Sequence, residues 1–313
     1  SFGDNHAVDG VDLEVQGGEI YGFLGPNGAG KSTTVKVLCT LLSPTGGSAT
    51  VAGFDVATQT DEIRLRIGVA LQEASLDPKQ TGRELLKLQG MLYGLSKPNI
   101  ARRMDDVIGL VDIGSAIDDL VESYSGGMKR RLDLAMSLIH KPQILFLDEP
   151  TTGLDPVSRN DVWQEVRTLN RQEGMTIFLT TQYLEEADEL AGRVGIIANG
   201  RIEAEGTPSE LKRGIGTDLI VAQIDGDPQL AADAVRAIDS IDGVEVHGDE
   251  ISASTTDGAG AVSAVAVALN SADLRVTSLT LRTPTLDDVF LDVTGAKLSA
   301  SHEASALSGE AAS

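Results

Sequence analysis

The feature that most constrains this chain is the stretch Gly25-Pro26-Asn27-Gly28-Ala29-Gly30-Lys31-Ser32, which fits the phosphate-loop pattern G-x-x-x-x-G-K-[ST]. The short apolar segment 20–24 before it predicts a strand, and the apolar spacing over 32–42 predicts a helix. In that context, backbone N–H groups and a helix N-terminus point at one spot and can bind a polyphosphate. A chance match is the alternative, and the flanking strand and helix count against it.

The chemistry of this loop assigns a contact to each kind of residue in it. The three glycines allow the backbone to curl around an anion. Lys31 is expected to reach the β- and γ-phosphates, and the Ser32 hydroxyl is expected to bind Mg²⁺. The sequence therefore predicts a site for a nucleotide with its magnesium ion.

Composition limits the partners of the chain and suggests two domains. A length of 313 residues with 41% hydrophobic residues suits about two globular domains. The net charge of −22 argues against a nucleic-acid partner, and the part from Gly216 onward carries 16 acidic and only 4 basic residues. The sequence has no apolar run of bilayer length and no signal-peptide pattern, and the single Cys39 suits a reducing cytoplasm.

Strand and helix patterns alternate through the first two thirds of the chain and predict an α/β fold with a parallel sheet. Residues 11–15 alternate between apolar and polar and predict a small antiparallel edge of the sheet. The first four residues leave no room for a strand, so we expect a clipped N-terminus. Further predicted strands lie at 48–51, 67–71, 144–147, 176–180, 194–198 and 201–205. Helical spacing over 81–111 predicts a helical insert, placed at about 73–140.

From residue 218 the predicted order changes to βαββαβ, which is the ferredoxin-like arrangement. We expect a first domain over 1–215, a small α+β domain over 216–295 and a disordered tail over 296–313, where large apolar residues are scarce. The second domain could regulate, stabilise a dimer or dock a partner, and the sequence does not decide among these roles.

Two more stretches carry chemistry. Asp148 and Glu149 follow an apolar strand, where carboxylates are costly to bury unless a cation or a reacting group needs them. We expect Asp148 to hold Mg²⁺ through water and Glu149 to orient a water for attack on the γ-phosphate. The stretch Tyr124-Ser125-Gly126-Gly127-Met128 predicts a second exposed helix N-terminus, although alone it would be an ordinary capped helix. The basic run 129–131 after it could bind phosphate or a partner, and a solvated helix face is the preferred prediction.

Together these stretches resemble an ATP-binding cassette (ABC) ATPase, a phosphate-loop NTPase fold with a helical subdomain. The matching residues, in the family's order and spacing, are 25–33, Gln72, 124–128, 145–149, 153–155 and Gln182. The resemblance is nearest to the ATP-binding subunits of daunorubicin-resistance exporters, through the segments 124–128, 181–188 and 284–290. The resemblance implies that ATP is bound by Phe2, Gly25, Pro26, Asn27, Gly28, Ala29, Gly30, Lys31, Ser32, Thr33 and Gln72, and the metal by Ser32, Gln72 and Asp148.

The family also implies a head-to-tail homodimer that sandwiches two ATP molecules. Each ATP would lie between the loop of one subunit and the signature of the other, where Ser125 and Gly127 would complete a γ-phosphate cage and Asp155 would cross the dimer seam. Phe2 would stack on adenine. The subunit would be cytoplasmic, on the inner face of the membrane, and would drive a separate permease that exports a hydrophobic drug, antibiotic or lipid.

This sequence departs from the broad family at Gln182, where most members have a switch histidine. Its amide can donate to the γ-phosphate but cannot become positively charged, so we expect slow hydrolysis without a histidine-like pH step. The alternatives are a soluble ABC ATPase without a transport role, a nucleotide-dependent regulatory module and, less consistent with the glycine signature, a kinase.

Overall fold

The computed structural model describes residues 6–71, 76–111 and 113–295. The described chain forms two compact units, one ending at Pro208 and the other beginning at Ser209. Phe2, Gln72 and the predicted tail over 296–313 lie outside the described residues, so their predicted roles are not addressed by the structure.

The first unit has an alternating α/β order, as the sequence predicts. Its strands and helices are, in chain order, β1 (Ile20–Leu24), α1 (Lys31–Leu38), β2 (Thr50–Val51), β3 (Phe54–Asp55), α2 (Thr60–Arg64), β4 (Ile67–Ala70), α3 (Gly82–Leu92), α4 (Lys97–Leu110), α5 (Gly126–Leu138), β5 (Ile144–Asp148), α6 (Pro156–Glu173), β6 (Thr176–Thr181), α7 (Leu184–Leu190), β7 (Arg193–Ala198) and β8 (Arg201–Gly206). Two short 3₁₀ turns, Gly114–Asp118 and Val121–Ser123, precede α5. The helix α8 (Pro208–Ile215) begins at the last residue of this unit, and the rest of it belongs to the second unit.

The main sheet of this unit has the strand order β4-β5-β6-β1-β7-β8. The first five strands in that order are parallel, and β8 pairs antiparallel with β7. Parallel strands end at the same edge of a sheet, so the last residues of β1, β5 and β6 and the segments that follow them lie at one edge. This edge contains the phosphate loop and the carboxylates predicted to act on the phosphate.

The central strands are buried on both faces because apolar residues occupy both pleats. On β5, Leu145 and Leu147 pack into one core cluster while Phe146 packs into the other. Phe178 of β6 lies in the cluster of Phe146, and the two ring centroids are 5.6 Å apart. Each of these side chains contributes roughly 1.5–3 kcal/mol on full burial. The strands that carry the site are therefore its rigid support.

Two predictions near the N-terminus are wrong in detail. Residues 11–15 form no strand, and the alternation arises because Val11, Leu13 and Val15 pack partly buried against the core without a strand partner. The helix predicted over 32–42 ends at Leu38, and Thr40, with φ of +59°, lies in the left-handed region that helix continuation excludes.

The helical insert between β4 and β5 is present and consists of α3, α4 and α5. Thr81 starts α3 with a capping box, since its hydroxyl accepts from the Glu84 N–H while the Glu84 carboxylate accepts from the Thr81 N–H. Further along, the Tyr124 hydroxyl donates to the carbonyl of Ala116 at 2.5 Å, which fixes the first residue of the predicted signature.

The second unit has the βαββαβ order that the sequence predicts. It comprises β9 (Asp218–Asp225), α9 (Pro228–Arg236), β10 (Gly243–His247), β11 (Glu250–Thr255), α10 (Gly258–Ser271), β12 (Arg275–Arg282) and α11 (Leu286–Thr294). Its antiparallel sheet has the order β10-β11-β9-β12, which is the ferredoxin-like arrangement. Alternate residues of β9, Ile220, Ala222 and Ile224, face a core that α9 and α10 share.

Candidate nucleotide site

The site lies where three neighbouring strands end. In the sheet register, Leu24 of β1 pairs with Thr181 of β6, and Asp148 of β5 pairs with Thr180 of β6. The N–H of Gly25 donates to the Thr181 carbonyl at 3.2 Å, so the phosphate loop begins as a continuation of the sheet. The loop, the two carboxylates and the segment that contains Gln182 therefore all leave the same edge.

Steric limits explain the glycines of the loop. A Cβ on Gly25 would lie 2.3 Å from the Ile197 carbonyl oxygen, and a Cβ on Gly30 would lie 2.4 Å from the Ala7 carbonyl oxygen. Gly30 also has φ of +110°, in the left-handed region where a side chain adds strain. The sequence prediction that glycine lets this backbone curl is consistent with these positions, and α1 begins directly afterwards at Lys31.

Lys31 is 3% exposed and points into the loop. Its Nζ donates to the carbonyls of Gly25 at 2.7 Å and Pro26 at 3.1 Å, and it lies 3.3 Å from Oε1 of Glu149. Burial lowers the pKa of Lys31, and the charges of Glu149 and Asp148 offset part of that effect. A phosphate that binds the Lys31 ammonium must therefore compete with the Gly25 and Pro26 carbonyls and with the Glu149 carboxylate.

Asp148 is 4% exposed at the end of β5 and is held by hydroxyl groups. Its Oδ1 accepts hydrogen bonds from Thr180 Oγ1 at 2.5 Å and from Ser32 Oγ at 3.3 Å. The carboxylate and the Ser32 hydroxyl, predicted as metal ligands, are thus neighbours, and both offer the hard oxygen donors that Mg²⁺ prefers. Sequence reasoning missed Thr180, although its position in a fully buried strand next to β5 is a usable signal.

Glu149 is also buried, at 7% exposure, but strand alternation does not set its direction. The strand ends at Asp148, and Glu149 has φ of +49°, a strained conformation for a side chain of this size. Its N–H donates to the carbonyl and hydroxyl of Thr180 at 3.0 and 3.1 Å, which holds the turn. This left-handed turn places Oε1 near Lys31 and leaves Oε2 to accept from Thr152 at 3.2 Å.

The predicted signature is an exposed helix N-terminus. Ser125 and Gly126 are exposed, and Ser125 Oγ caps α5 by accepting from the Met128 N–H at 3.2 Å. A Cβ on Gly127 would lie 3.2 Å from Ser158 Oγ in the first turn of α6. The beginnings of α5 and α6 are therefore adjacent.

Asp155 caps α6 in this chain. Its Oδ1 accepts from the N–H groups of Val157 at 3.0 Å and Ser158 at 3.1 Å, and its Oδ2 accepts from Ser158 Oγ at 2.6 Å. These bonds, led by the Ser158 hydroxyl, lower the pKa of Asp155 and keep it ionised at the start of the helix. Asp155 is thus the N-cap of α6 within its own chain.

The prediction that the basic run 129–131 is a solvated helix face is wrong. Arg130 Nη1 donates to the Leu71 carbonyl at 2.6 Å and lies 3.2 Å from Oδ2 of Asp133. Arg131 reaches α6, with ion pairs to Asp161 at 2.7 Å and Glu165 at 3.0 Å. The two arginines therefore fasten α5 to the end of β4 and to α6.

Gln182 is half-buried and follows β6 directly, at the edge where the phosphate loop begins. The adjacent Thr181 hydroxyl accepts from the Tyr183 N–H at 2.8 Å and shapes the turn into α7. Gln182 is thus at the correct edge for the predicted contact, which stays a prediction.

The fold and the site define an ATPase of the ABC type. A family model described as "ABC transporter" matches residues 8–152. Among solved structures, a dimeric ATP-binding cassette in a post-hydrolysis state with ADP and phosphate superposes with a TM-score of 0.59 at 25% identity, covering 64% of this chain and 90% of that one. CbiO1 from Clostridium perfringens gives a TM-score of 0.61 at 25% identity, covering 66% and 83%.

The chain belongs to the family of DrrA-like ATP-binding proteins of ABC transporters. Residues 206–294 match the family model described as "ATP-binding protein DrrA1-3-like, C-terminal domain". The daunorubicin/doxorubicin resistance ATP-binding protein DrrA of Streptomyces peucetius is 47% identical, covering 94% of this chain and 89% of that protein. The linearmycin resistance ATP-binding protein LnrL of Bacillus subtilis is 35% identical (95% and 96% covered), and the Nod factor export ATP-binding protein I of a Rhizobium species is 40% identical (95% of each).

Proposed function

We propose that this chain binds MgATP at the phosphate loop and hydrolyses it, with Glu149 orienting the attacking water. The observation that carries the proposal is the convergence on one loop of Lys31, Asp148 and Glu149, all nearly inaccessible to solvent. The loop N–H groups and Lys31 would hold the phosphates, and Glu149 would leave Lys31 for the water as the γ-phosphate enters.

The oxygen donors around Asp148 fit a magnesium ion. Ser32 would bind it through the hydroxyl that contacts Asp148 at 3.3 Å, Asp148 would hold it through water, and Gln72 is the further ligand expected from the sequence. Magnesium bound there supplies positive charge to the β- and γ-phosphates. The described residues contain no cluster of three or more His, Cys, Asp or Glu side chains suited to a metal, and a site completed by phosphate and water needs none.

We further propose that two copies of the chain enclose the nucleotide. The exposed N-terminus of α5, with Ser125 and Gly127, presents the N–H groups of a first helical turn, which suit a phosphate. The family resemblance supports a nucleotide held by the phosphate loop of the partner chain as the ligand of this helix N-terminus. The solved cassette that is dimeric and contains ADP and phosphate also supports a nucleotide-bound dimer. Asp155 caps α6, whose first turn is next to the start of α5. In such a dimer, Asp155 would lie near the seam between the two chains.

The transport role follows from the relatives, whose names describe drug and antibiotic resistance and Nod factor export. We propose that this subunit works at the inner face of the membrane and powers export of a hydrophobic drug, antibiotic or lipid through a separate permease. Within the described residues, no helix is both long enough and apolar enough to cross a bilayer.

Phosphate release and nucleotide binding, measured on the same variants, test the proposed chemistry. Glu149→Gln is expected to retain ATP binding and lose turnover, whereas Lys31→Ala is expected to lose nucleotide affinity because the loop then lacks its cation. Glu173→Gln makes the same chemical change at an exposed position in the last turn of α6 and should behave as wild type. Full hydrolysis by Glu149→Gln would remove Glu149 from its proposed role.

Export is tested in cells that carry the chain with its permease. Accumulation of a fluorescent hydrophobic drug should fall when both are present and recover with Lys31→Ala. Active hydrolysis without any effect on such compounds, and without a membrane partner in pull-down, would favour the ABC ATPase without a transport role.

A further inference from the structure

Glu186 of α7 is a wholly buried carboxylate that the proposed reaction does not use. Burial raises the pKa of Glu186, and hydrogen bonds from the side chains of Thr181, Thr151 and Trp163 and the charge of Arg159 offset part of that effect. Burial of a carboxylate costs free energy unless its hydrogen-bond partners compensate. The contacts of Glu186 therefore indicate which segments it holds in place.

The contacts reach the turn that follows Glu149. Oε1 of Glu186 accepts from Thr151 Oγ1 at 2.8 Å and from Trp163 Nε1 at 3.0 Å. Thr151 is 0% exposed and lies two residues beyond Glu149, while Trp163 belongs to α6, the helix that Asp155 caps. Oε1 of Glu186 therefore connects the turn after Glu149 to α6.

The helix that carries Glu186 begins directly after the segment of Gln182. Thr181, the residue before Gln182, accepts from the Gly25 N–H through its backbone carbonyl and from the Tyr183 N–H through its hydroxyl. Gln182 lies between Thr181 and α7. The hydrogen bonds of Glu186 therefore hold the helix that follows Gln182 against α6 and the turn of Glu149.

We propose that Glu186 is a positioning residue for ATP hydrolysis, which acts through Thr151 on the turn of Glu149. This inference rests on the proposed role of Glu149. Glu186 does not touch the nucleotide in this scheme, so its loss should lower kcat and leave ATP affinity unchanged. Misplacement of a reacting group by about 1 Å can cost about 100-fold in rate, so losses of about 10- to 100-fold are expected.

The geometry also says which property of Glu186 matters. The hydrogen bonds from Thr151 and Trp163 both end on Oε1, and Oε2 has no hydrogen-bond partner among the described residues. A glutamine with its carbonyl at the Oε1 position keeps both bonds. A leucine of similar size accepts neither and leaves two buried donors without an acceptor.

The test compares Glu186→Gln, Glu186→Leu and Thr151→Val by steady-state ATPase assays, ATP titration and thermal unfolding. Glu186→Gln should stay within about threefold of the wild-type kcat, while Glu186→Leu and Thr151→Val should lose about 10- to 100-fold with ATP affinity within about twofold. Thr151→Val is nearly isosteric and removes one hydrogen-bond donor to Glu186. It therefore tests the proposal even if Glu186→Leu does not fold. Glu189→Gln, an exposed change on α7 at a residue paired with Arg167, is the matched control and should match wild type.

Three results would overturn the inference: wild-type kcat in folded Thr151→Val, loss of turnover in Glu186→Gln, or a drop in ATP affinity and melting temperature that accounts for the rate loss. Failure of the proposed function looks different, because Glu149→Gln would then retain full turnover whatever the Glu186 variants do.

Discussion

Replacing Glu149 by glutamine should tighten nucleotide binding, because the carboxylate and the nucleotide compete for Lys31. The two charges are 3.3 Å apart, which corresponds to about 5 kcal/mol of attraction at an effective dielectric constant of about 20, before desolvation costs. The amide retains a dipole, and the Gly25 and Pro26 carbonyls still hold the ammonium, so only part of this energy is released. We expect about 1.4 kcal/mol, or a tenfold lower Kd.

MgADP is the ligand for this measurement, since it is the hydrolysis product and wild type and variant can be compared without turnover. The Kd for MgADP should fall about tenfold in Glu149→Gln and stay constant in Glu173→Gln. Urea unfolding without nucleotide should show a loss of roughly 1–3 kcal/mol in Glu149→Gln, because Lys31 then lies buried without its carboxylate. Unchanged or weaker MgADP binding by a folded Glu149→Gln would refute the competition.

Three further results are expected. Gly25→Ala should lose about 1–3 kcal/mol of stability and much of its ATP affinity, because its Cβ would meet the Ile197 carbonyl, whereas Gly17→Ala, with nothing within 4 Å, should be neutral in urea unfolding. Burial raises the pKa of Asp133 to about 6, so the folded state holds a proton that the unfolded state releases from about pH 4 upward. Wild type should therefore lose about 3 kcal/mol relative to Asp133→Asn between pH 4 and pH 7, and parallel pH curves would contradict this. The ATPase rate measured against pH should show no step near pH 6.5, because the Gln182 amide cannot become positively charged. A step that is present in wild type and absent in Gln182→Ala would contradict this expectation.

The parts of the site that the sequence predicts are those with local signals. The phosphate loop is a contiguous pattern, the strand before Asp148 is a run of apolar residues, and Asp155 with Pro156 marks a helix start by cap chemistry. Each of these depends on residues close together in the chain, and the structure places each in the expected element.

The parts that the sequence does not predict depend on contacts between distant segments. Arg130 is indistinguishable in sequence from a solvated helix arginine, and only the approach of α5 to the end of β4 gives it the Leu71 carbonyl. Glu186 lies in an acidic helix, and its burial follows from the meeting of α7 with α6. The left-handed turn at Glu149 is fixed by Thr180 on the neighbouring strand, so the direction of the Glu149 side chain depends on a contact that the local sequence does not show.

The most direct test of the central claim is the mass of Glu149→Gln in solution at saturating MgATP, measured by light scattering together with bound nucleotide. One ATP per chain is expected, in a particle near twice the chain mass of 32.8 kDa that returns to a single chain when ATP is removed. Absence of saturable ATP binding, or an ATP-saturated particle that keeps the mass of one chain, would contradict it.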